Sequence, residues 1–197
     1  MRLPSEMSRT QILVECALMA ALSAALSMIP GFSMPYGGTV SWFSTLPVIL
    51  ASLRHGARWG VPTALAYSLT QLLLGMSNVV AVPAKTAGAM ALCALLDYVA
   101  AYTAIGFTGA VARAIKSGGA LAAAVGVAAT GAVRLGCSVM SGVLVWGEFT
   151  PEDMKALPYS LIYNAAWCIP DVAIVMIGVL LLSRVRQLAL LRARLGE

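Results

Sequence analysis

Residues 159–182 read YSLIYNAAWCIPDVAIVMIGVLLL, 24 residues with one charged group, Asp171, and no alternation of polar with apolar. A helix of about 20 such residues crosses a ~30 Å hydrocarbon core. Further apolar runs cover 11–29, 40–53, 59–75, 86–112 and 119–146. The runs at 40–53 and 59–75 are shorter and carry Pro47, Gly60 and Pro62, so they tilt or sit partly within protein. Continuous runs rich in Ala and Leu disfavour spanning strands, which alternate. The sequence predicts an all-α membrane protein, a bundle of about six transmembrane helices, as a single domain over residues 1–197.

Composition agrees. Of 197 residues, 60% are apolar and 11% charged, against about 25% charged in an ordinary soluble domain. The mean hydropathy is +0.87. A chain this short cannot bury so much apolar surface in a water-soluble globule. That excludes a soluble enzyme, a soluble nucleic-acid binder and a disordered tail. The first apolar run is too long for a signal peptide's core, and a multi-span pattern follows it. Cys16, Cys93, Cys137 and Cys168 all lie in apolar runs without metal-ligand spacing, and read as small packing residues. No metal or cofactor is expected.

Charge sets the orientation. Ten of the 13 Lys and Arg fall at one set of ends: Arg2, Arg9, Arg54, Arg58, Arg113, Lys116, Arg184, Arg186, Arg192 and Arg194. Only Lys85 and Lys155 fall at the other, and Arg134 lies within a span. The bias predicts both termini in the cytoplasm. The net charge of +5 is then explained by topology rather than by an acidic partner.

Ionisable groups within the membrane are costly and mark function. Asp97, Arg134 and Asp171 lie 11 or 12 residues from the outer ends of their runs, roughly 16–18 Å deep at 1.5 Å per residue. One polar cluster is expected. In the structural reading, Arg134 bridges one or both acids. In the functional reading, one carboxylate holds a cationic ligand, and Asp97, next to Tyr98, is the candidate. Above it stand Ser138, Trp146, Tyr159 and Asn164, a set suited to stacking on and hydrogen bonding to a flat cationic heteroaromatic molecule. Trp42, Trp146 and Tyr159 equally fit an interfacial aromatic belt. The uncharged Gly- and Pro-rich segment 30–41 is expected to be an outer loop or lid. There is no nucleophile elbow, His–carboxylate pair or P-loop, so an enzyme is not expected and ATP coupling must come from partners. Ala17, Ala21 and Ala25 make a small-residue stripe for internal packing or for docking another membrane subunit. No internal repeat of the kind many carriers show is evident.

These residues resemble a family. The run 21–30, Ser41–Ser44, Leu53–Gly56, Asp97–Tyr98, the stretch 133–147 and Tyr159–Asn164 are similar, in order, to the thiamine-specific S-component (ThiT) family of energy-coupling factor (ECF) transporters. The resemblance implies a six-helix substrate-binding membrane protein that captures thiamine from outside. It also implies a transmembrane coupling subunit and two ATPase subunits as partners, the first docking on Ala17, Ala21 and Ala25. It places the ligand against Trp42, Tyr67, Asp97, Tyr98, Ser138, Trp146, Tyr159 and Asn164. Three positions depart from the family: Tyr67 stands where it has tryptophan, Asp97 where it has glutamate and Ser138 where it has histidine. Asp171 has no counterpart. The ligand is therefore thiamine or a close relative. The competing expectations are a stand-alone secondary carrier of a small cationic metabolite, with Asp97 and Asp171 as ion sites, and a membrane enzyme or assembly subunit.

Overall fold

The computed structural model describes residues 7–34, 38–115 and 119–183. Helix α1 (Arg9–Ser27) starts at a capping box: Ser8 Oγ accepts from the Gln11 amide at 3.2 Å, and Gln11 Oε1 accepts from the Ser8 amide at 3.0 Å. Strands β1 (Pro30–Ser33) and β2 (Thr39–Ser41) then form an antiparallel hairpin, Phe32 opposite Val40 and Ser33 opposite Thr39. Helices α2 (Leu46–His55) and α3 (Ala57–Leu74) follow, then a short helical turn, Met76–Val80. The long helices are α4 (Ala87–Ala114), α5 (Gly119–Leu144) and α6 (Ala156–Ser183).

Among the described residues, each of the six apolar runs overlaps one of the longer helices α1–α6. Of these, α1, α4, α5 and α6 are long and apolar enough to cross a membrane. The run 40–53 departs from expectation. Its first residues complete the hairpin, and α2 begins only at Leu46, with proline in its first turn. Ten residues span about 15 Å, half a bilayer core. α2 is correspondingly the helix sunk in protein: Val48, Ile49, Ala51 and Leu53 are all buried. Helix α4 is not regular. It widens into a π-helix over Ala94–Ala100 and tightens into a 3₁₀ turn at Ile105–Phe107.

The central core joins Val48, Leu53, Tyr67, Ile105, Val127 and Val175, from α2 to α6. Close helix approach there depends on glycine. A Cβ on Gly60 would sit 2.6 Å from the Gly106 carbonyl oxygen. In the same contact Ser52 Oγ donates to the Gly106 carbonyl at 2.5 Å and accepts from the Gly109 amide at 2.9 Å. Small residues and buried hydroxyls are how helices associate where lipid supplies no hydrophobic drive. Large apolar side chains such as Leu18, Leu73, Leu121, Ile162 and Ile177 point outward, as lipid contact requires.

Four of the described basic residues, Arg9, Arg54, Arg58 and Arg113, gather at one end. Arg54 pairs with Glu15 at 3.0 Å, and Arg113 Nη2 donates to the Leu53 carbonyl at 3.3 Å. Arg2, Lys116, Arg184, Arg186, Arg192 and Arg194, on which the orientation argument also rests, lie outside the described residues.

Candidate functional site

At the end away from Arg9, Arg54, Arg58 and Arg113, a chamber of about 480 Å³, also lined by Arg134, opens among α3–α6 beneath the hairpin, within the 300–1,000 Å³ range of small-molecule sites. Its walls hold Tyr67, Asp97, Tyr98, Ser138, Trp146, Tyr159 and Asn164. Seven of the eight side chains expected to meet a ligand are thus brought together.

The acid and its neighbour come from the π-segment of α4. A π-turn inserts a residue into the helix and resets which side chains face inward, and such turns recur at functional sites. Three donors converge on one oxygen of Asp97: Ser141 Oγ at 2.6 Å, Cys93 Sγ at 3.4 Å and Trp146 Nε1 at 3.4 Å. Among the described residues, nothing donates to Oδ1 and no cation pairs with the carboxylate. Cys93, expected only to pack, thus also orients the acid. Tyr98 OH donates to the Gly75 carbonyl at 3.1 Å, which fixes its ring across the wall.

Arg134 belongs to a different group. Its Nη1 meets Asp171 Oδ2 at 2.6 Å, with both side chains buried. Nη2 donates to Tyr102 OH at 3.1 Å, and the guanidinium lies 4.5 Å from the Tyr102 ring centroid and 4.9 Å from that of Trp167. The second oxygen of Asp171 accepts from the Ser41 amide of β2 at 3.2 Å. The single cluster expected from equal depth therefore resolves into two: a neutralised Arg134–Asp171 pair tied to the hairpin, and a separate Asp97. Helix azimuth, which depth does not report, separates them.

Asn164 is held by protein. Its amide nitrogen donates to the Ser160 carbonyl at 2.9 Å and the Ser138 carbonyl at 3.3 Å, and its oxygen accepts from Trp167 Nε1 at 3.2 Å. It offers a ligand one remaining acceptor position on its oxygen. Trp42 is not brought to the chamber. It is 55% exposed and lies against Gly31 across the hairpin. The roof tryptophan is instead Trp167, which has Gly38 of the hairpin against its indole: a Cβ there would meet the ring at 2.6 Å. Gly38 also has φ +81°, where glycine is favoured. Of the outer loop, residues 35–37 lie outside the described residues.

Tyr102, Tyr163 and Trp167 were not foreseen as lining residues. Helical spacing pointed to all three: Tyr102 lies four residues after Tyr98, Tyr163 four after Tyr159 and Trp167 three after Asn164. Chemically, the chamber offers one open carboxylate oxygen among tyrosine and tryptophan rings. That suits a planar cation.

The sequence profile of a family described as thiamine transporter protein matches residues 13–190. The chain is 33% identical over 181 residues to the thiamine transporter ThiT of Bacillus subtilis (strain 168), covering 86% of this chain and 88% of the relative. The fold is similar to that of ThiT from Listeria monocytogenes, with TM-score 0.73, 23% identity and coverage of 93% and 98% of the two chains. It is also similar to a structure described as the S component of a bacterial ECF transporter, with TM-score 0.59, 19% identity and coverage of 92% and 97%.

Proposed function

The chain belongs to the thiamine transporter protein family, and from that premise we propose that it captures thiamine as the substrate-binding S component of an ECF transporter. It is a multi-pass membrane protein; under this reading both termini face the cytoplasm and the chamber faces outward. Asp97 opposes the positive ring of the ligand. Tyr98, Trp146, Tyr159 and Trp167 stack on or bracket its two rings, and Ser138, Tyr67 and Asn164 supply hydrogen bonds. Trp42 is left out of this binding set.

The observation that carries the reading is Asp97, which lines the chamber and whose Oδ1 has no donor among the described residues while Oδ2 takes three. A carboxylate kept in low dielectric without a counter-ion is stabilised by an arriving cation. The chain itself contributes binding rather than a reaction. Uptake requires a coupling subunit and ATPase subunits, which the S-component likeness supports, and Ala17, Ala21 and Ala25, all exposed on α1, are the docking stripe. The carrier reading loses one of its two ion sites, because Asp171 is already occupied by Arg134 and Ser41.

Equilibrium titration of the purified protein with thiamine, followed by tryptophan fluorescence, tests the proposal. Stacking on Trp146 or Trp167 gives saturable quenching at one equivalent. Absence of saturable quenching, with calorimetry equally silent, overturns it.

A further inference from the structure

A second cavity, of about 370 Å³, lies between α1 and α3 at the basic end of the bundle. Both helices start at that end. Arg9 and Arg58, one from the start of each, form its rim beside Trp59. Its floor is apolar and largely small, including Cys16, Ala20 and Ala66; Ala17, one end of the docking stripe, also borders it, whereas Ala21 and Ala25 do not. Neighbouring Arg54 is neutralised by Glu15 at 3.0 Å. Arg9 and Arg58 are exposed, and neither has an ion pair or hydrogen bond among the described residues.

Two guanidiniums without a partner among the described residues, set over an apolar trough, match an occupant with an anionic head and a hydrocarbon tail. We propose that this groove binds an anionic phospholipid, its phosphate between Arg9 and Arg58 and one acyl chain laid between α1 and α3. Guanidinium groups match phosphate geometry with paired hydrogen bonds. Tryptophan favours the headgroup level, and basic pockets between membrane helices on the cytoplasmic side select charged lipid heads. Size argues for lipid over a partner helix. A helix about 10 Å across fills roughly this volume with a single turn, whereas a hydrocarbon chain fits lengthwise.

The test uses the full chain in mixed micelles with brominated phosphatidylglycerol or brominated phosphatidylcholine. Quenching at Trp59 is read as the difference between wild type and Trp59→Phe. Phosphatidylglycerol is expected to quench at a mole fraction at least tenfold lower, with about fivefold of the preference lost for each arginine in Arg9→Gln and Arg58→Gln. Thermal unfolding of the variants reports folding. If they unfold, salt titration of the wild type from low to high ionic strength serves instead, because screening must erase the preference. Equal quenching by both lipids, or a preference that survives removal of both arginines or high salt, overturns the proposal. So does a double variant that keeps its lipid preference but loses its grip on a membrane partner, which would mark a protein dock.

Discussion

Asp97 is held from one side, and that asymmetry defines its chemistry. Asp97→Asn keeps the shape of the side chain and removes the charge. We expect thiamine affinity to fall by about 2–5 kcal/mol, the cost of removing one member of a buried charge pair, while an uncharged analogue of the same shape loses less than fivefold. Calorimetric titration of both ligands checks this; equal losses would mean that Asp97 does not read charge. Asp171 has the opposite character. Its two oxygens hold Arg134 and the Ser41 amide, so Asp171→Asn strands a buried guanidinium. The expected cost is about 3–5 kcal/mol of stability. Replacing both partners with apolar residues, Arg134→Met with Asp171→Leu, should recover much of it, because no unpaired charge then remains. Thermal unfolding of the single and double variants decides, and a double variant as unstable as the single would refute the pairing argument.

At the scale of elements, two structures did not follow from hydrophobic runs. The hairpin β1–β2 lies in a segment read as loop or lid. Its pairing is local, but its position comes from Ser41 bonding to Asp171 and Gly38 meeting Trp167, both 129 or more residues away in sequence. The π-segment of α4 is invisible to a 3.6-residue pattern, because it sits inside an unbroken apolar run. Ala17, Ala21 and Ala25 are exposed along one stripe, and Ala21 lines neither cavity. A tryptophan at Ala21 should therefore leave thiamine affinity within about twofold and abolish uptake in cells that hold the coupling subunits, since close helix approach needs small side chains. Radiolabelled uptake set beside equilibrium binding checks this. Loss of binding would place Ala21 in the internal fold.

For the whole molecule, hydropathy determined the helical membrane class and where apolar helical runs lie along the chain. The energy of inserting apolar segments into lipid is a local sum over each segment, so it can be read without knowing the neighbours. Residue type and depth likewise singled out Asp97, Arg134 and Asp171, because charge in hydrocarbon is costly wherever it faces. Which acid takes the arginine was decided only in three dimensions. It depends on the rotation of α4, α5 and α6 about their axes, set by side-chain packing and by one π-turn. The same holds for the exchange of Trp42 for Trp167 at the roof, fixed by how the hairpin lands on α6. Insertion into lipid depends on composition along each run, whereas pairing depends on angle and distance between runs, which composition does not contain.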